Sequence, residues 1–198
     1  MARAKVVVRP ATLARWDDLV RLFGPRGACA GCWCQWGRKR HVDFHRDTGA
    51  ANRRSLRKLV ASGEPPGLLA YLEGVAVGWC AVAPREAYVR LAGSRMLAPV
   101  DARPVWSAPC FFVAKEARGR GVTVALLRAA ADHAAAHGAD TIEGYPLDTR
   151  GARSPAAFAW WGLESAFVKA GFREAARRSP TRPIMRKRLR PARRRRRG

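Results

Sequence analysis

The sequence predicts a mixed α/β (α+β) domain, and three observations carry that expectation. Short apolar runs rich in Val, Ile and Phe recur between Gly and Pro breakers, as strands do. Apolar residues at spacings of three and four mark helices between them. One run of each kind meets across a glycine-rich loop. The strand-like Cys110-Phe111-Phe112-Val113 leads to Arg118-Gly119-Arg120-Gly121-Val122-Thr123, and a helical stripe of Val122, Ala125, Leu126, Ala129, Ala130 and His133 follows.

Taken in order, residues 5–8 (Lys-Val-Val-Val) are β-branched and open the chain as a strand. Thr12 caps a helix over residues 13–23 with the stripe Trp16, Leu19, Leu22 and Phe23, and Gly24-Pro25 ends it. A loop holding Cys29, Cys32, Trp33, Cys34 and Trp36 leads to a polar-faced helix over 47–62. Residues 67–72 and 75–82 form a hairpin about Glu73-Gly74. Residues 84–97 connect it, with a helical turn, to a central strand over 105–113. Pro109 lies in that strand and cannot donate to a ladder, so it demands a bulge or a splay. The helix after the glycine loop runs to His137 and stops at Gly138. A strand over 141–145, a polar loop over 147–154 and a helix over 155–170 follow, the helix burying Leu163, Ala166, Phe167 and Ala170. Strands over 172–177 and 184–189 close the domain, and no internal repeat occurs.

The loop at residues 118–123 has the chemistry of an anion site. Glycines at a helix start let the backbone approach a ligand closely, and first-turn N–H groups have no partner inside the helix. The helix dipole and the guanidinium groups of Arg118 and Arg120 add positive potential at the same place. A pyrophosphate is the expected ligand.

With Arg118 at its first position, Gly121 at its central one and Thr123 where a last small residue is usual, the loop resembles the acyl-CoA-binding motif of the GNAT N-acetyltransferases, Arg/Gln-x-x-Gly-x-Gly/Ala. The order of elements over about residues 5–189 is similar to the GNAT fold, and Ala170-Gly171-Phe172 resembles its helix-to-strand corner. The resemblance implies a central mixed, mostly antiparallel sheet, splayed at the strand before the cofactor loop and flanked by helices. It implies acetyl-CoA as cosubstrate and transfer of the acetyl group to a primary amine by direct attack in a ternary complex. Backbone around Phe112 and Val113 would pair with the pantetheine amides. Arg118, Gly119, Arg120, Gly121, Val122 and Thr123 would hold the pyrophosphate. Cys32, Trp33, Cys34 and Trp36 would line the acceptor pocket.

Proton transfer departs from the family pattern. A tyrosine four residues before the corner glycine commonly serves as the acid, and Phe167 stands there. Tyr145 is the replacement by position, and Glu143, two residues earlier on the same strand face, is the candidate base. The plainer reading makes Glu143 a paired surface carboxylate and Tyr145 a packed residue at a sheet edge.

Cys29-x-x-Cys32-x-Cys34 with His41 and His45 raises a zinc site, but the spacing is unusual and no metal is expected. The five cysteines read as free thiols. Cys110 lies beside the expected thioester, where an acetyl-cysteine is conceivable and ordinary burial is the simpler reading.

The 198 residues suffice for one domain, expected over 1–190, and a tail over 191–198. The net charge of +23 is uneven: from Arg173 onward thirteen basic residues face one acid. The terminal arginine block reads as a disordered tail able to make nonspecific contact with nucleic acid or another polyanion. No apolar run reaches the length of a membrane span, so no membrane partner and a cytoplasmic location are expected; a homodimer stays open. Two other classes compete with the acetyltransferase. Gly119-Arg120-Gly121 with Glu143 about twenty residues on suggests an NAD-type oxidoreductase, but Val124 replaces the third glycine. The tail alone suggests a noncatalytic nucleic-acid-binding protein. A phosphate-loop NTPase is excluded, since its motif occurs nowhere.

Overall fold

The computed structural model describes residues 5–151 and 160–190. The expected tail and the start of the helix expected from residue 155 lie outside them. One seven-stranded sheet runs in the order β1-β2-β3-β4-β5-β7-β6. Its strands are β1 (Val7–Pro10), β2 (Gly67–Leu72), β3 (Val75–Pro84), β4 (Trp106–Val113), β5 (Thr141–Gly144), β6 (Arg173–Arg177) and β7 (Pro183–Arg188). Every neighbouring pair is antiparallel except β4 and β5. The hairpin between β2 and β3 turns on Glu73 and Gly74, both with positive φ, a turn whose twist matches the strands it joins.

The helices are α1 (Trp16–Phe23), α2 (His41–Arg46), α3 (Ala50–Ala61), α4 (Val89–Ala92), α5 (Val122–Ala136) and α6 (Glu164–Lys169). Three expectations need correction. The first helix begins as a 3-10 turn at Leu13–Arg15, and Thr12 makes no side-chain cap. The second is one helix, α3, but begins only at Ala50, after Gly49 at φ 81°, and the short α2 before it was not expected. The last begins only at Glu164, because Gly162 has φ 81° and Leu163 is extended; Leu163 is exposed, while Phe167 and Ala170 are buried as expected.

The two sheet faces bury different layers. On one face α5 packs Val122, Leu126, Leu127, Ala130 and Ala134 against Leu68, Ala70, Cys80, Val82 and Phe111. Gly78 makes that close approach possible, since a Cβ there would stand 2.6 Å from Val122. On the other face α1, α3 and the cysteine loop pack Trp16, Leu19, Phe23, Trp33 and Leu56 against Leu69, Trp79, Ala81 and Cys110.

Pro109 sits in a β-bulge. Ala81 pairs with Cys110 and Ala83 with Ser107, so two steps along β3 face three along β4. The extra residue shifts the alternation of side chains, and Ala108 and Phe111 therefore share the α5 face although they are three apart. On its other side β4 pairs with β5 only through Trp106↔Ile142 and Ser107↔Glu143. Beyond Ser107 the two strands part. The expected splay is present, and it opens where the proline bulge ends regular pairing.

Candidate active site

The parted strands open a cavity of about 930 Å³. The end of β4 lines it through Phe111, Phe112 and Val113. The glycine loop lines it through Arg118, Gly119, Gly121, Val122 and Thr123. The loop is shaped by two left-handed glycines: Gly119 has φ 73°, and Gly121, at φ 83° and ψ 7°, is the residue before the first turn of α5. A Cβ added at either position would meet no atom within 4 Å, so their glycine identity reflects backbone conformation and not crowding. Arg118 reaches back to the Val113 carbonyl at 3.3 Å, tying the loop to the strand end. Thus every expected donor-site residue lines the cavity except Arg120, which is exposed and lies outside the lining.

Two cations that sequence reasoning missed complete the wall. Arg128 and Lys169 line the cavity, and the Arg128 guanidinium donates to the Lys169 carbonyl at 2.9 Å. The signal for Arg128 was available: it stands four residues after Val124 and three after Ala125, on the helix face that both present to the cavity. With Arg118, three cationic side chains and no carboxylate among the described residues line this space.

A second cavity, of about 200 Å³, adjoins the first and shares Ala28, Cys29, Phe111, Phe112 and Trp160 with it. Cys32, Cys34 and Trp36 line it, as expected of an acceptor pocket. Trp33 does not. It is buried instead between Trp16 and Phe23, at ring centroid separations of 6.3 and 5.6 Å. The loop that carries these residues follows a left-handed path, with Ala28, Ala30, Trp33 and Cys34 all at positive φ. The Cys34 and Cys110 sulfurs lie 2.9 Å apart in the wall. All five cysteines are free, and burial pushes the Cys32 thiol up to about 11. Among the described residues no group of three His, Cys, Asp or Glu could hold a metal; His41 and His45 pair with each other on exposed α2.

Glu143 and Tyr145 are brought together, but not to the cavity. Neither is among the residues that line it. Both are fully buried, and the Tyr145 hydroxyl donates to Glu143 Oε1 at 2.6 Å. Arg85 approaches the same oxygen at 2.6 Å, and Arg186 holds Oε2 at 2.8 Å. The Ser107 hydroxyl lies 2.9 Å from that of Tyr145. Burial, then the charge of Glu143, raise the Tyr145 phenol well above its ordinary value. A carboxylate clamped between two guanidinium groups is satisfied on both oxygens, and a phenol so raised is a reluctant acid. Glu143 is thus a paired carboxylate, but a buried one. The network ties β5 to β4 at Ser107↔Glu143, the last pair before the strands part.

Phe167 fills the family's tyrosine position. It is fully buried under the splay, edge-on to Phe111 with centroids 5.9 Å apart, and Gly144 leaves room for its ring.

The profile of the acetyltransferase (GNAT) family matches residues 33–154. The chain belongs to the GNAT acetyltransferase family. Solved structures agree on the fold. A GNAT-family acetyltransferase from Streptococcus agalactiae superposes with a TM-score of 0.56 at 14% identity, over 93% of this chain and 96% of its own. YncA of Salmonella typhimurium, solved with its cofactor acetyl-CoA, gives 0.53 at 15% identity, over 94% and 95%. The PaiA N-acetyltransferase of Thermoplasma acidophilum, solved with coenzyme A, gives 0.53 at 12%, over 93% and 99%. A comparison of the sequence with curated proteins finds no match. No helix among the described residues is long and apolar enough to cross a membrane.

Proposed function

We propose that this GNAT protein binds acetyl-CoA in the larger cavity and transfers its acetyl group to an amine held in the smaller one, by direct attack. The observation that carries the reading is the continuity of the two cavities through Phe111, Phe112 and Trp160. The loop over residues 118–123 and the first turn of α5 receive the pyrophosphate, with Arg118, Arg128 and Lys169 neutralising its charge. The unpaired edge of β4 at Phe112 and Val113 offers backbone groups to the pantetheine amides, as an added strand would use them. That run brings the thioester to the junction of the cavities.

In the reaction the amine lone pair forms a bond to the thioester carbonyl carbon, the carbon–sulfur bond breaks, and CoA leaves with the proton the amine gives up. A backbone N–H at the parted strand stabilises the tetrahedral oxyanion. Glu143, Tyr145, Arg85 and Arg186 act here as positioning residues that fix where the strands part. Proximity of thioester and amine supplies much of the rate.

Calorimetric titration with acetyl-CoA, followed by chromatographic detection of free CoA when amines are added, tests this reading. Saturable one-to-one binding with amine-dependent CoA release is expected. A protein that fails to bind acetyl-CoA at millimolar concentration has another donor.

A further inference from the structure

The smaller cavity has a chemistry of its own. Its wall includes the rings of Phe23, Trp36, Phe44, Trp79 and Trp160 and of the shared Phe111 and Phe112, with thiols and two alanines between them. Among the described residues no charged side chain lines it. Its volume of about 200 Å³ exceeds the roughly 150 Å³ of an apolar cavity that takes up benzene.

An amine nucleophile must be uncharged when it attacks. The chain's carboxylates, imidazoles and phenols all fall within the described residues, because residues 1–4, 152–159 and 191–198 contain no Asp, Glu, His or Tyr. None of them lines either cavity. So no carboxylate, imidazole or phenol is at hand to pair with an ammonium or to strip its proton. The Cys32 and Cys110 thiols are kept protonated by their burial and neighbours. Aromatic rings can themselves hold an ammonium by cation–π attraction. Here a cation is already on two of them: the Arg90 guanidinium lies 4.9 Å from the Trp36 ring centre and 5.0 Å from that of Phe44. Arg90 is outside the lining, so its charge stands behind the wall and repels a second cation.

We propose that the acceptor is a weakly basic aromatic amine, with its nitrogen attached to the ring, that enters the smaller cavity as the free base. This deepens the acetyltransferase reading and rests on it. Conjugation of the nitrogen lone pair with the ring keeps such an amine neutral at pH 7, so the missing base is not needed to generate the nucleophile. Attack forms the nitrogen–carbon bond, the carbon–sulfur bond breaks, and the nitrogen's surplus proton leaves with the CoA sulfur, giving an N-aryl acetamide and CoA.

The test uses the full chain with acetyl-CoA and three acceptors: 4-methylaniline, benzylamine and spermidine. Product is measured by mass spectrometry between pH 6 and 8. The expected kcat/KM for 4-methylaniline at pH 7 exceeds that for benzylamine at least tenfold, and changes less than twofold across the range. Cys32→Phe, which fills the smaller cavity from its wall, raises the KM for 4-methylaniline at least tenfold and leaves the acetyl-CoA Kd within twofold. Equal or better use of benzylamine or spermidine overturns the proposal. So does a tenfold preference for hexanoyl-CoA over acetyl-CoA as donor, which gives the cavity to the acyl chain. Acetyl-CoA binding without acetylation of 4-methylaniline overturns the acceptor alone; failure to bind acetyl-CoA overturns the acetyltransferase reading with it.

Discussion

The two cavities proposed for donor and acceptor meet at Phe111 and Phe112, yet they are built on opposite principles. The donor cavity takes its character from backbone: two left-handed glycines, a helix start and a strand edge, all within residues 111–123. The acceptor cavity takes its character from side chains gathered from α1, the cysteine loop, α2, β3, β4 and Trp160. One is cationic, with its strand end and loop contiguous in sequence and Arg128 and Lys169 added from farther along the chain. The other is apolar, uncharged and assembled from distant segments. A site that relies on backbone geometry keeps its motif while the rest of the chain diverges, whereas a site made of side chains can be rewritten without disturbing the fold.

The two sides must share one rigid junction, and the largest predicted effect tests that. Glu143→Ala leaves Arg85 buried with its charge unpaired and frees Arg186 from one of its two carboxylates. Breaking a buried pair from one side costs about 3–5 kcal/mol. Urea unfolding should register a loss of that order, together with weaker binding on both sides of the junction. Unchanged stability with an abolished pH-dependent rate would restore Glu143 as a base.

Backbone control of the donor side predicts the next effect. Gly121→Val forces a β-branched residue to φ 83°, where L-residues pay roughly 1–2 kcal/mol and β-branched ones more. Space is not limiting, since nothing lies within 4 Å of the added carbon. Acetyl-CoA affinity should fall about a hundredfold by calorimetry, as the loop leaves its binding shape. A loss under threefold would mean that side chains, not backbone, hold the donor.

Within the loop the two arginines should separate. Arg118 lines the cavity and is tied to Val113, while Arg120 is exposed and outside it. Arg118→Ala should weaken acetyl-CoA about tenfold at low salt and less at high salt, as for a partly screened contact. Arg120→Ala should change it less than twofold. Equal losses would show that the loop gathers charge without regard to direction.

The same contrast explains what could be read from residues alone. The glycine loop, the hairpin at Glu73-Gly74, the splay at Pro109 and the Gly171-Phe172 corner are local signals, set by backbone constraints that a few neighbouring residues reveal. The mostly antiparallel sheet followed from them through the family resemblance, whereas the strand order was not read from the sequence. The acceptor wall was only partly legible: Cys32, Cys34 and Trp36 line it, but Trp33 faces the core, because a run of positive-φ residues turns the loop and breaks any simple alternation. Phe44 on α2 carried no signal, since its helix is only six residues long. Glu143 and Tyr145 were rightly paired by strand periodicity. What they face depends on Arg85 and Arg186, which arrive from 58 residues before Glu143 and 43 after it.

The smallest effect concerns α5, whose first turn is proposed to receive the donor's pyrophosphate and whose far end lies outside both cavities. Near that end His133 packs edge-on to Trp106 at 5.6 Å, and burial, then its neighbour His137, lower its pKa from 6.5 to about 4. The unfolded chain therefore binds a proton near pH 6.5 that the folded chain refuses until about pH 4. Between those values the unfolded state holds more protons, so stability must fall as pH drops from 6.5 towards 4. His133 is only half-buried, and solvent weakens the effect. His133→Gln should lose less on acidification than wild type, by on the order of 3 °C in melting temperature between pH 6.5 and 4.5. Above pH 7 the two proteins should show no such divergence with pH. Acetyl-CoA affinity should be unaffected at neutral pH, because the histidine is three turns from the loop that binds it. A variant whose acid sensitivity matches wild type would place the titrating groups elsewhere, and one that also lost donor binding would show that the helix transmits strain along its whole length.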